Sequence, residues 1–235
     1  MTNQFLVAVN FKANLTVSTA ESWLEEFGGR SEAPNVKVVL APPYPLLELF
    51  RNHREKGNFT LGTQDLSRFS EGSYTGEVPA SILVTLGVQY SFIGHSERRK
   101  LLGETPGVVA EKITRAFEAA ITPIIGVQNT LELPTEQVKR GGQPVVLMFE
   151  PFEAISKPGD FHPVESEKIS EQVKLLKTAG NQETQVIYGG SVTSQNIESI
   201  LDTGNLDGIC VGRAALEVSE LIKIIQVCQH KRTSS

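Results

Sequence analysis

Glu150 closes the apolar run Val145–Phe149, and Pro151 follows it at once. A strand must end somewhere, and Glu is a common surface residue. A carboxylate held at the rim of a fold is also a candidate general base. Three other groups invite the same question. In VAVNFKAN, Asn10 and Lys12 lie two apart, so an extended chain sends both side chains to one side. Lys12 could then supply positive charge to an anionic substrate, although most lysines are simply exposed. In SFIGHSERRK, His95 follows an apolar run and a glycine, and Ser96 is placed to cap the helix that Glu97, Arg98 and Arg99 begin. The positive end of that helix disfavours imidazolium. A neutral ring near pH 7 can donate or accept a hydrogen bond. Finally, Gly189, Gly190 and Gly212, in YGGSVT and VGRAAL, permit close backbone approach, with N–H groups that can face an anion. A helix start after Gly212 would add its dipole.

These residues need elements that bring them together. Eight β-rich runs recur: 5–11, 36–41, 59–64, 90–94, 121–127, 145–150, 185–189 and 207–212. Several are apolar without alternation, as in strands covered on both faces of a parallel sheet. Helical periodicity fills most gaps, over 16–27, 105–119, 163–179, 194–201 and 216–228. The stretch 131–140 is at most a short helix interrupted by Pro134. Eight strands alternating with helices predict a (β/α)8 barrel forming one domain over residues 1–235. A doubly wound open sheet is the alternative, but no GxGxxG turn follows the first strand. In such a barrel the chemistry sits at the C-terminal strand ends. Each candidate group above is at one.

The chain has 235 residues and a net charge of −5, so no basic excess exists to neutralise a nucleic-acid backbone. Cys210 and Cys228 are its two cysteines, which suggests neither a disulfide framework nor a metal-binding CxxC pair. No window approaches the ~20 apolar residues of a membrane span. The N-terminus has no basic leader or apolar h-region, so the expected location is cytoplasmic.

The sequence resembles the triose-phosphate isomerase family over nearly its whole length. The matching motifs are NFK at 10–12, TGE at 75–77, GHSERR at 94–99, EP at 150–151, YGGSV at 188–192 and DGICVG at 207–212. The resemblance implies a TIM barrel that interconverts dihydroxyacetone phosphate and glyceraldehyde 3-phosphate, with no metal and no organic cofactor. It implies Glu150 as the base, His95 as the electrophile, Lys12 as the cation with Asn10 beside it, and Glu97 as the partner of Lys12. It implies Ser156, Ser191, Gly190, Gly212 and Arg213 around the substrate phosphate. It makes Pro151 the first residue of a lid, with Phe152, Glu153 and Pro158 in that lid and Tyr188 as its latch. It also implies a homodimer, in which Thr75 and Glu77 on the loop 65–78 dock against the neighbouring subunit. A phosphosugar isomerase or lyase of another kind, and a phosphate binder without turnover, are the alternatives.

The sequence departs from the family in the lid. Glu153 replaces the usual hinge Trp, Phe149 the Tyr before the base, and Val127 the Glu after strand five. The three positions interact in the family, so their joint change resembles a re-wired hinge, similar to archaeal members. At the lid tip, Pro158 stands where a backbone N–H would meet Ser191, and Pro has none. One closing hydrogen bond is then lost, worth about 1 kcal/mol net. The segment between strands five and six is also shorter than usual.

Overall fold

The computed structural model describes residues 4–28, 33–140, 142–151 and 166–233. Eight strands, β1 (Phe5–Asn10), β2 (Val36–Ala41), β3 (Thr60–Thr63), β4 (Tyr90–Ile93), β5 (Thr122–Val127), β6 (Val145–Phe149), β7 (Thr184–Tyr188) and β8 (Gly208–Val211), pair in chain order. All pairs are parallel, and β8 returns to β1, so the barrel is closed and the open-sheet alternative is excluded. Strand side chains divide between two apolar layers. Leu6, Ala8, Val39, Phe92, Ile124, Val146, Met148 and Ile187 fill the interior. Their neighbours in sequence, such as Val7, Val38, Ile125, Leu147 and Val186, pack outward under the helices. Burial on both sides is why the strand sequences do not alternate.

The helices are α1 (Val17–Phe27), α2 (Leu47–Gly57), α3 (Ala80–Thr85), α4 (Ser96–Leu102), α5 (Pro106–Glu118), α6 (Thr135–Arg140), α7 (Ser166–Ala179), α8 (Ile197–Asp202) and α9 (Val218–Thr233). In α1, Thr16 and Thr19 form a capping box, and Trp23, Leu24 and Phe27 face inward. The Trp23 ring meets Phe11 edge-on at 5.0 Å, and its indole N–H donates to the Ala215 carbonyl at 2.8 Å, tying β1, α1 and the last loop together. Thr105 caps α5 and Pro106 starts it.

Sequence periodicity does not announce α2 or α3. The first is mostly polar, with Leu47, Phe50 and Gly57 buried, and the second is six residues long. Between β5 and β6 lie a 3-10 turn (Thr130–Glu132) and the short α6, which begins just after Pro134, a residue barred from a helix interior. Two helices start later than expected. Asn196 accepts from the Thr193 N–H at 2.8 Å and holds 193–196 as a turn, so α8 begins at Ile197. Arg213–Leu216 is a 3-10 turn, and α9 begins at Val218. Among the described residues, no helix is long and apolar enough to cross a membrane. Cys210 and Cys228 are both buried, and no disulfide joins them.

Candidate active site

Glu150 continues the inward face of β6, two residues beyond Met148, and is buried at the mouth of the barrel. Its N–H donates to the Val127 carbonyl at 2.9 Å, which carries the strand pairing one residue past the end of β6. Glycines on both neighbouring strands make room for its side chain. A Cβ on Gly126 would stand 2.8 Å from Glu150 Oε2, and one on Gly189 would stand 3.1 Å from Glu150 Cγ.

His95 lies across the mouth, with Nε2 3.1 Å from Glu150 Oε1. Both side chains are nearly fully buried, at 7% and 5% exposure. The N-cap of α4 is His95 rather than the expected Ser96, because the imidazole Nδ1 accepts from the Glu97 N–H at 3.1 Å. The Ser96 N–H donates instead to Glu150 Oε2 at 3.1 Å. An Nδ1 that accepts carries no proton, so the ring proton resides on Nε2, facing Glu150. The Glu97 carboxylate is 3.7 Å from Nδ1, beyond hydrogen-bond length, and does not compete with its own backbone N–H.

Lys12 pairs with Glu97 at 2.7 Å, joining the end of β1 to the first turn of α4. Both side chains are partly open to solvent, at 36% and 42%. The expected two-apart geometry of Asn10 and Lys12 does not hold, because β1 ends at Asn10 and Lys12 has φ +52. A left-handed non-glycine backbone costs roughly 1–3 kcal/mol and persists only where its surroundings fix it. Two side chains do so. Asn10 Oδ1 accepts from the Lys12 N–H at 2.9 Å, and Gln64 Nε2 donates to the Lys12 carbonyl at 2.8 Å and to Ala41 at 3.1 Å. Sequence reasoning missed Gln64, since a polar residue at a strand end looks like any other.

The glycine turns divide their work differently from expectation. The Gly189 N–H is spent on the Phe149 carbonyl at 2.8 Å, so Gly189 spaces Glu150 and does not present a donor to an anion. A Cβ on Gly190 would collide with the Tyr188 hydroxyl, which folds back under the turn. Burial pushes the Tyr188 phenol up to about 12, so it stays protonated. Its ring lies in the outer layer, 6.3 Å from that of Phe149. Asn196 Nδ2 donates to the Ser191 carbonyl at 2.7 Å and shapes the turn after β7. Gly212 lies on the Lys12 side of the mouth, its Cβ position 3.8 Å from Lys12 Cε. Arg213 opens the following 3-10 turn and is exposed. That turn is too short to supply a full helix dipole.

Pro151 is buried. Phe152, Glu153, Ser156 and Pro158 lie outside the described residues. Thr75 and Glu77 are exposed on the loop after β3, and Glu77 accepts from the Ser67 hydroxyl at the foot of that loop. The structure thus gathers Asn10, Lys12, His95, Glu97 and Glu150 on one rim, with Gly190, Ser191 and Gly212 on the adjoining arc. A carboxylate in contact with an imidazole N–H, beside an ammonium, is suited to moving a proton and stabilising the resulting anion.

The family model for triosephosphate isomerase matches residues 5–228. A triosephosphate isomerase of Thermus thermophilus is 32% identical, covering 94% of this chain and 98% of its own. One from Paracidovorax citrulli is 34% identical over 96% of this chain and 98% of its own. The crystal structure of triosephosphate isomerase from Bartonella henselae superposes with a TM-score of 0.80 at 23% identity, covering 95% of this chain and 98% of that one, and supports the fold. With its sequence matched from β1 to the last helix, the chain belongs to the triosephosphate isomerase family.

Proposed function

We propose that this protein interconverts dihydroxyacetone phosphate and D-glyceraldehyde 3-phosphate through an enediolate. The observation that carries the reading is the His95 Nε2 to Glu150 Oε1 contact of 3.1 Å, with the Lys12–Glu97 pair beside it. The Glu150 carboxylate takes a proton from the carbon next to the substrate carbonyl. The C–H electron pair becomes the carbon–carbon double bond, and negative charge moves to the carbonyl oxygen. His95 offers its Nε2 proton to that oxygen, exchanging the carboxylate for the substrate as acceptor. The Glu97 N–H on Nδ1 keeps the ring in the required tautomer. Lys12 adds a charge that strengthens as water leaves. Returning the proton from Glu150 to the adjacent carbon, with proton transfer between the two oxygens, gives the aldose. Substrate and product have the same atoms, so the scheme needs no external oxidant or reductant.

The phosphate is assigned to the arc of Gly190, Ser191, Gly212 and Arg213, with Ser156 contributed by the lid. Pro151, Phe152, Glu153 and Pro158 are assigned to that lid, and Tyr188, a protonated donor, to the latch. The assembly is proposed to be a cytoplasmic homodimer serving glycolysis and gluconeogenesis. Thr75 and Glu77, exposed here, would dock near the partner's copy of the Asn10–Lys12 turn. An assay coupling triose phosphate turnover to a dehydrogenase tests the reading. Turnover of both triose phosphates, lost in Glu150→Ala, is the expected result. Tight binding of a phosphate analogue without turnover would leave a phosphate binder instead.

A further inference from the structure

Arg98 and Arg99 are consecutive on α4, yet the side chains serve different partners. Arg98 pairs with the carboxylates Asp65 and Glu104. Arg99 pairs with no carboxylate among the described residues. Its guanidinium donates to two backbone carbonyls, from Nε to Gly94 at 2.7 Å and from Nη2 to Gly126 at 3.2 Å. These carbonyls are at adjoining strand ends. The β4–β5 register runs from Tyr90↔Thr122 to Ile93↔Ile125 and stops there. Gly94 and Gly126 would form the next pair, but Gly94 turns left-handed, with φ +62, and leaves the ladder. The guanidinium fork joins the two carbonyls where backbone pairing has stopped.

That junction is where the reacting groups converge. The Cβ position of Gly126 is 3.0 Å from the Gly94 carbonyl, 3.0 Å from His95 Cα and 2.8 Å from Glu150 Oε2. Fixing Gly94 against Gly126 therefore fixes the backbone of His95 against the carboxylate of Glu150. Val109 closes the Gly94 corner: its Cγ2 and Arg99 Nη2 would each stand 2.9 Å from a Cβ on Gly94. We propose that Arg99 is a positioning residue, which clamps the ends of β4 and β5 and so sets the separation of His95 from Glu150. The inference rests on the proton-transfer roles given to those two residues. A lysine could not replace it, because an ammonium is a point charge without a planar fork of donors.

The test compares wild type, Arg99→Lys and Arg99→Ala in the intact protein. Displacing reacting groups by about 1 Å can cost ~10²-fold, so kcat is expected to fall by ~10- to 100-fold in both variants. Inhibition by inorganic phosphate should stay within about twofold, because the clamp does not reach the phosphate arc. Affinity for a hydroxamate mimic of the enediolate should fall with kcat/KM. Methylguanidinium should restore part of the rate of Arg99→Ala, and methylammonium should not. Folded variants with wild-type kcat and only a lowered Tm would overturn the proposal, as would a loss of phosphate affinity equal to the loss of kcat. One readout is independent of turnover. The NMR signal of the His95 Nε2 proton should shift or broaden in Arg99→Lys, and an unchanged signal would contradict the clamp. Absence of turnover in the wild type would instead defeat the isomerase reading.

Discussion

At the mouth of the barrel, Glu150, His95, Glu97 and Lys12 make an open chain of contacts. On the flank, Asp65, Arg98, Glu104 and Lys112 make a closed ring. Lys112 Nζ meets Asp65 Oδ1 at 2.7 Å and Oδ2 at 2.6 Å, and also pairs with Glu104 Oε1. Arg98 completes the ring to Asp65 at 2.8 Å and to Glu104 at 2.6 Å. Each of the four charges thus has two opposite neighbours, and the side chains of Lys112 and Glu104 are each only 6% exposed. The mouth is held less completely. Lys12 has Glu97 as its carboxylate partner, and both remain about two-fifths open. The ring neutralises the buried charges of Asp65, Glu104 and Lys112, with Arg98 one-third exposed at its edge, so its product is a fixed joint between β3, α4 and α5. The chain fixes directions and leaves charge facing the space a substrate would fill. Helix α4 belongs to both arrangements, with Arg98 in the ring and His95 and Glu97 in the chain.

The comparison predicts that changes at the mouth cost rate and changes in the ring cost stability. Glu150→Ala should lower kcat by at least ~10³, the loss expected at the upper end for a general base. Its denaturation midpoint should stay near that of the wild type. A variant with near-wild-type turnover would place the base elsewhere. Next in size is Lys112→Met, which leaves two buried carboxylates facing Arg98 alone. Removing one member of a buried ionic group costs about 3–5 kcal/mol, readable by chemical denaturation. The kcat of the folded fraction should change less than a few-fold, and a stable variant would show that the ring holds nothing.

Lys12→Met should cut kcat/KM by ~10²–10³, the scale of losing a preorganised electrostatic stabiliser. Its stability should move by less than about 1 kcal/mol, because the lost pair is solvent-exposed. A larger stability loss than rate loss would place Lys12 with the ring. The smallest effect comes from a single half-buried carboxylate. The N–H of Ser194 donates to Glu220 Oε1 at 2.8 Å and holds the Glu220 carboxyl below its ordinary value. A depressed carboxyl stabilises the fold above its unfolded pKa and loses that contribution as pH falls through its folded one. Glu220→Gln should therefore be less stable than wild type at pH 7 by no more than about 1 kcal/mol, since the group is only partly buried and water screens it. The difference should vanish in acid below the ordinary carboxylate range. A difference that grows on acidification would reverse the sign.

The mouth was legible in the sequence, and the ring was not. Glu150, His95 and Lys12 each stand within two residues of a strand end, so strand assignment alone puts them on one rim. Several strands, such as β1, β2 and β6, are legible for a related reason, since burial on both faces leaves unbroken or nearly unbroken apolar runs. Lys112 gives no such signal. It occupies the inward stripe of α5 with Val109, Ile113 and Ala116, where charge is not expected, and its partners come from two other segments. The local geometry of the mouth was also hidden. The left-handed Lys12, the His95 cap and the spacing role of Gly126 depend on where the next strand lies, which periodicity does not report. The departures at Phe149 and Val127 find a physical setting: both are buried on the outer face, on adjoining strands beside Tyr188.

The central claim is that Glu150 carries a proton between adjacent carbons of the substrate. Deuterium incorporation tests it most directly. Dihydroxyacetone phosphate is incubated in heavy water with wild type or Glu150→Gln, and the recovered triose phosphates are read by proton NMR. Wild type should place solvent deuterium on the carbon beside the carbonyl at a rate comparable with isomerisation, and Glu150→Gln should not exceed the buffer background. Undiminished exchange in Glu150→Gln would contradict the account.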